Sequence, residues 1–180
     1  MYIISGYKKN KKIITPKREF RPTQAKVREA LFNIIDIQDK TFLDLCSGSG
    51  AIAFEALSRG ASFATLIEID REAIKSIFQN AKSIYSDEEN KYKIKRIATE
   101  DFVKRTEEKF DIIYLDPPYH SKIYNNTVST IINRKLLNDN GLLIVELGLD
   151  YYKNFLENYR ETLEYDVRIY GECVLVIFKN

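Results

Sequence analysis

From position 41 onward, short apolar runs alternate with stretches in which apolar residues return every three or four positions. A strand buried on both faces is apolar throughout, whereas a helix against a sheet needs only one apolar stripe, so this alternation predicts βα units around a parallel sheet. The runs predict strands at 41–46, 64–69, 94–98, 111–115 and 142–147, and helices at 51–59, 71–84, 99–106, 125–137 and 151–159. Gly60 suits the end of the first of these helices and Asp70 the N-cap of the second. Segments 162–170 and 173–178 flank Gly171-Glu172 and predict a terminal hairpin, while the charged stretch 86–93 reads as an exposed loop. Upstream, Val27, Ala30, Leu31, Ile34 and Ile35 predict a helix capped by Thr23, with its charged residues, Lys26 among them, mainly on the other face. Residues 2–4 and 12–14 are β-prone around Ser5, Gly6 and Asn10, which predicts a small hairpin with lysines near its turn. The chain divides on this basis into a basic arm at 1–22 and an α/β body at 23–180.

A chain of 180 residues has room for one domain of ordinary size, and 44% hydrophobic residues suffice for a substantial core. No apolar run approaches the roughly 18–20 residues of a membrane-spanning helix, and the N-terminus lacks a secretory apolar stretch, so a cytoplasmic location is expected. Two cysteines, Cys46 and Cys173, and one histidine, His120, cannot assemble a structural zinc site or a disulfide scaffold. The net charge of +2 conceals an asymmetry: the first 28 residues hold nine basic residues and one acid, net +8, which leaves −6 for the rest. A basic arm on an acidic body suggests a polyanionic partner, although a solvated lysine-rich hairpin is the plainer alternative.

Glycine and proline are scarce, and they concentrate where predicted strands end: Asp44-Leu45-Cys46-Ser47-Gly48-Ser49-Gly50 and Asp116-Pro117-Pro118-Tyr119. In an open parallel sheet the ligand crevice lies at the carboxyl ends of the strands, so the two clusters can share a site. Gly48 and Gly50, with Ala53 beyond, fit a G-x-G-x-x-A turn; alone, such a turn also serves plain packing. Glu68 ends the next strand 20 residues after Gly48, where an acid can bond both hydroxyls of a ribose, and together they indicate an adenosine-type ligand. A carboxylate at Asp44 would repel a pyrophosphate yet suits an ammonium and a sulfonium, which favours S-adenosylmethionine over NAD; a brace for the turn is the alternative. Two consecutive prolines remove two N–H donors and stiffen the chain, leaving nearby carbonyls unpaired and pointing outward. Asp116 and the Pro117 carbonyl then form a rigid pair of acceptors and Tyr119 an aromatic face, an arrangement suited to an exocyclic amine on a planar ring. A turn with a buried tyrosine is the bland alternative.

In order and spacing, Asp44 to Gly50, Glu68 and Asp116 to Tyr119 resemble the class I S-adenosylmethionine-dependent methyltransferases with the [DNS]-P-P-[YFW] amine signature. Ile3-Ile4-Ser5-Gly6, Lys11-Lys12-Ile13, Arg21-Pro22-Thr23, the stretch from Val27 to Asn33, Ala56 to Ala61 and Thr65 to Asp70 narrow the resemblance to the RsmD family of bacterial 16S rRNA guanine-N2 methyltransferases. The resemblance implies a Rossmann-like, seven-stranded, mostly parallel sheet with its last strand antiparallel, helices on both faces and an N-terminal β-hairpin. It implies cofactor contacts from Asp44, Cys46, Ser47, Gly48, Gly50, Glu68 and Ile69, with Thr99 and Glu100 serving the adenine where Ala98 replaces a common polar residue. It places the guanine amine at Asp116, Pro117 and Tyr119. Ribosomal RNA, naked or in the assembled small subunit, is expected to meet Lys8, Lys9, Lys11, Lys12, Arg18, Arg21, Thr23 and Arg28 of a monomer that uses no metal. The hairpin departs from the family by having Ser5-Gly6 for Gly-Gly and Lys9-Asn10-Lys11 for Arg-Gly-Arg, which keeps charge but loses the bidentate fork. The same acceptor motif could instead hold the N6 amine of adenine or a glutamine amide. A nicotinamide-dependent oxidoreductase and a non-catalytic RNA-binding protein are the readings from other classes. His120 reads as a bystander, Cys46 as a small core residue at a strand end, and Tyr151, Tyr152, Phe155 and Tyr159 as packing.

Overall fold

A computed structural model of the chain describes residues 1–16, 25–118, 122–159, 161 and 164–180. In chain order its elements are α1 (Ala25–Ile34), β1 (Thr41–Leu45), α2 (Ala51–Ser58), β2 (Phe63–Glu68), α3 (Arg71–Ile84), β3 (Tyr92–Arg96), α4 (Thr99–Arg105), β4 (Phe110–Leu115), α5 (Ile123–Asn133), β5 (Leu137–Gly148), α6 (Tyr152–Glu157), β6 (Tyr165–Tyr170) and β7 (Cys173–Lys179). The strands form one seven-stranded sheet in the order β3-β2-β1-β4-β5-β7-β6. β7 runs antiparallel to both its neighbours, β5 and β6, and the first five strands are parallel. Strand order reverses between β1 and β4, which opens a crevice at their carboxyl ends.

Successive strand residues point to opposite faces, and the core divides accordingly. Phe42, Leu66, Ile112, Tyr114, Ile144, Leu175 and Ile177 pack in one cluster with residues of α1, α2 and α3. Leu43, Leu45, Ile67, Ile113, Leu115, Leu143, Val145, Val174 and Val176 pack in a second cluster with residues of α4, α5 and α6. The near-continuous apolar strands are thus covered on both faces, as the α/β expectation required. No helix among the described residues is long and apolar enough to cross a membrane.

The structure corrects several boundaries. α5 ends at Asn133 and not at 137, because Lys135 turns the chain at φ +53° and Leu136 and Leu137 are taken by the sheet, where the Phe110 N–H donates to the Leu136 carbonyl at 3.0 Å. The expected loop at 86–93 contains a single 3-10 turn, Glu89–Lys91, and then starts β3 at Tyr92, whose ring packs edge-on against Phe54 and Tyr85. On α1 the buried stripe is Val27, Arg28, Leu31 and Phe32, so Ile34 turns outward, 38% exposed, and a charged residue faces inward. The Thr23 cap lies outside the described residues.

The N-terminal hairpin is joined by backbone hydrogen bonds, from the Ile3 N–H to the Lys11 carbonyl, the Asn10 N–H to that of Ile3 and the Ile13 N–H to that of Met1, and is anchored further by the body of the fold. Ile3 and Ile13 are both 1% exposed in the first core cluster. The buried Glu55 carboxylate of α2 accepts the Ile4 and Ser5 N–H groups at 2.7 and 3.0 Å and the Arg59 Nε at 2.7 Å. Gly6, at φ +80°, lies so close to the end of α2 that a Cβ there would sit 1.7 Å from the Ser58 carbonyl oxygen, so only glycine fits.

Candidate active site

The turn after β1 places three left-handed residues within five: Cys46 at φ +66°, Gly48 at +56° and Gly50 at +78°. The glycines announce this bend in the sequence; Cys46 adopts it at a conformational cost. The Ser47 hydroxyl donates to the Asp44 carbonyl at 2.8 Å and accepts the Ile67 N–H at 3.1 Å, locking the turn to β2. Glu68 receives the Gly48 N–H at 2.8 Å on one oxygen and the N–H groups of Ile69 and Asp70, at 2.7 and 2.9 Å, on the other. Its carboxylate is thus fixed at the carboxyl end of β2, with Ile69, 58% exposed, next to it.

Asp44 is 2% exposed, and its one hydrogen-bond donor among the described residues is the Ala53 N–H at 3.2 Å, near the start of α2. Burial pushes its carboxyl up to about 7; the Ala53 N–H opposes this and the nearby charge of Glu68 adds to it. A cationic ligand group arriving here would restore the ionised form, which is the electrostatic fit expected for an ammonium or a sulfonium. The Ser49 hydroxyl in the same turn is also buried and has no hydrogen-bond partner among the described residues. Thr99 is buried with its hydroxyl 3.2 Å from the Cys46 sulfur, and Glu100 accepts from the Asn126 amide at 2.9 Å. Burial drives the Cys46 thiol up to about 12, so it stays neutral and is no nucleophile.

In the register of β4 on β1, Leu115 lies beside Leu45, and the Asp116 N–H donates to the Leu45 carbonyl at 3.4 Å. The two clusters predicted from separate strand ends therefore meet. Here the structure corrects the sequence-based picture: the Pro117 carbonyl is not unpaired, because the buried Tyr124 hydroxyl of α5 donates to it at 3.1 Å. That hydroxyl is also 3.0 Å from the Glu146 carbonyl, and the Glu146 carboxylate in turn accepts from the Tyr114 hydroxyl. Tyr119 and His120 lie outside the described residues.

On the arm, Lys9, Lys11 and Lys12 are exposed. Lys8 is committed inward: it pairs with Glu88 at 2.8 Å and sits 5.3 Å from the centres of the Tyr7 and Tyr85 rings. Burial would raise the Glu88 carboxyl, but hydrogen bonds from Lys8, Lys91 and Tyr7 outweigh it and hold it at about 2. Arg28 cannot meet RNA as expected. It is 2% exposed, its Nη2 donates to the Tyr2 carbonyl at 2.9 Å, and burial lowers its pKa against the influence of Glu55 and Tyr114. Arg18, Arg21 and Thr23 lie outside the described residues. Phe155 and Tyr159 are buried in a ring cluster with Phe178, as expected of packing residues. Sequence reasoning missed Tyr124, Glu55 and Glu146. The third was detectable as an acid inside the apolar run at 142–147.

A family model described as "Conserved hypothetical protein 95" matches residues 1–179. Ribosomal RNA small subunit methyltransferase D of Buchnera aphidicola is 35% identical over 152 residues, covering 81% of this chain and 77% of that protein. The protein of the same name from Escherichia coli is 32% identical over 175 residues, covering 96% and 83%. Among solved structures, the candidate methyltransferase yhhF of Escherichia coli superposes with a TM-score of 0.82 at 26% identity, over 100% of this chain and 97% of that one. The family match over residues 1–179 and the similarity to the relatives along nearly the whole length lead to one assignment: the chain belongs to the family of ribosomal RNA small subunit methyltransferase D.

Proposed function

We propose that this protein transfers a methyl group from S-adenosylmethionine to the exocyclic N2 amine of a guanine in small-subunit ribosomal RNA. The observation that carries the reading is the meeting of the Asp44–Gly50 turn and the Asp116–Pro117 acceptors at the carboxyl ends of adjacent strands. Family membership and the names of the relatives support the RNA substrate. Asp44, Cys46, Ser47, Gly48, Gly50, Glu68 and Ile69 would hold the cofactor, with Thr99 and Glu100 toward its adenine. When bound, S-adenosylmethionine supplies an electrophilic methyl on a sulfonium.

Asp44 answers the cationic part of that ligand, and its raised pKa in the buried site makes it a group that gains its charge as the ligand arrives. Asp116 and the Pro117 carbonyl accept the two hydrogens of the amine and so direct the nitrogen lone pair toward the cofactor side of the crevice. Tyr119 stacks on the base. The base must leave its helix or stack to reach these groups. No strong base is required, since the aryl ammonium formed on transfer is acidic and gives up its proton readily. Lys9, Lys11 and Lys12 grip the RNA backbone. One chain carries both the turn and the acceptors, which supports action as a monomer, and an RNA substrate of this kind puts the enzyme in the cytoplasm.

The test is incubation with methyl-labelled S-adenosylmethionine and small ribosomal subunits lacking the modification, followed by nucleoside analysis. Labelled N2-methylguanosine is expected. Label on adenine or on protein would replace the guanine by another planar amine, and no transfer would remove the assignment of activity.

A further inference from the structure

Pro117 and Pro118 leave the acceptor loop short of N–H donors, so what steadies the Pro117 carbonyl must come from outside it. The group that does so is Tyr124, whose ring is 0% exposed and packs against Tyr151 and Phe155 at centroid distances of 5.8 and 6.1 Å. Its oxygen lies 3.1 Å from the Pro117 carbonyl and 3.0 Å from the Glu146 carbonyl. The two acceptors differ in kind. Glu146 belongs to β5, where its neighbours are fixed by the ladders to β4 and β7, while Pro117 stands beyond the end of β4. A phenol has one proton, so at any moment it donates fully to only one of the two.

We propose that Tyr124 is a positioning residue for the methylation of the amine. Its hydroxyl ties the acceptor loop to the rigid sheet. The Pro117 oxygen has two lone pairs, so it can keep the Tyr124 hydrogen bond on one and accept the amine hydrogen on the other. This rests on the reading that Asp116 and Pro117 hold the amine. A second tyrosine supplies an internal control: Tyr114 is equally buried, and its hydroxyl bonds the Glu146 carboxylate.

The experiment compares wild type, Tyr124→Phe and Tyr114→Phe in single-turnover methylation of unmodified small subunits with labelled S-adenosylmethionine, alongside S-adenosylhomocysteine affinity and unfolding midpoints. For Tyr124→Phe the rate at saturating substrates should fall about 10-fold, the order expected for one lost positioning hydrogen bond. Its S-adenosylhomocysteine affinity should stay within about twofold, because that site lies on β1 and β2. Tyr114→Phe should lower the unfolding midpoint and leave the single-turnover rate within about twofold. Full rate in Tyr124→Phe overturns the proposal, as does an equal loss of rate in both variants, which would mark a structural effect. Should Tyr124→Phe fail to fold, 4-fluorophenylalanine at position 124 fills the place of the hydroxyl but cannot donate; an unchanged rate there overturns the proposal equally. If wild type itself leaves the RNA unlabelled, the amine reading falls first and the role of Tyr124 with it.

Discussion

Replacing Asp44 by Asn sets the stability of the empty protein against its affinity for ligand. The carboxyl is 2% exposed with a single N–H donor at 3.2 Å, and burial raises it from an ordinary 3.8 to about 7. A carboxyl whose folded pKa is raised contributes stability that is complete below the unfolded value and is lost as pH climbs through the folded one. Between pH 5 and about pH 7 the unfolded chain is ionised at this position while the folded chain is not, and each pH unit removes about 1.4 kcal/mol. Wild type should therefore lose on the order of 3 kcal/mol between pH 5 and pH 8 that Asp44→Asn keeps. The amide oxygen of Asn can still accept the Ala53 N–H, and every other titrating group is common to both proteins. Urea unfolding of the ligand-free proteins at the two pH values measures the difference directly. Calorimetric titration with S-adenosylmethionine at pH 8 should show the opposite ranking, with the more stable variant binding at least about 10-fold more weakly for want of a counter-charge. A stability difference that does not change with pH would refute the reasoning, since it would mean that the empty site solvates Asp44 normally.

Asp116→Ala should cut turnover about 100-fold or more while leaving S-adenosylhomocysteine affinity within a few-fold, as single-turnover rates and titration would report. Reversing the charges of Lys9, Lys11 and Lys12 together should weaken RNA binding and lower the slope of log affinity against log salt by about 2, whereas Arg28→Met, which alters a buried side chain, should leave that slope in place. Glu55→Ala strands the Ile4 and Ser5 N–H groups and the Arg59 guanidinium, and should destabilise the protein by about 3 kcal/mol in urea unfolding and expose residues 1–16 to protease.

Much of the sheet could be read from the sequence because its strands are buried on both faces, and a run such as Thr41 to Leu45 admits few other interpretations. α3 was delimited to the residue, 71–84, because the Asp70 side chain accepts the N–H groups of Glu72 and Ala73 and so sets its start. The α5–β5 boundary was not legible: Leu136 and Leu137 continue the helical period of 125–133, and only pairing with Phe110, distant in sequence, assigns them to a strand. The site's two halves were legible by composition, since scarce glycines and prolines stood at strand ends. What surrounds them was not. Arg28 and Glu55 are charged residues whose partners are backbone groups of a hairpin some 25 to 50 positions away, and nothing local in their segments signals burial. Tyr124 sits at an ordinary apolar position of a helix, and its contact with Pro117 arises only from the way α5 packs on the sheet.

The hairpin's dependence on α2 and α3 has a kinetic consequence. A two-stranded hairpin, even with the backbone hydrogen bonds that join Ile3 to Lys11 and Met1 to Ile13, is marginal on its own in water. Its anchors to the body close loops of 26 residues, from Tyr2 to Arg28, of 51, from Ile4 to Glu55, and of 66, from Ile14 to Asn80. Loop closure over such separations precedes any gain from the contacts, so residues 1–16 should acquire order after the βα units they rest on, as a late step of folding. The exposed Lys9, Lys11 and Lys12 are then presented in their final place only by a molecule whose glycine turn has already formed.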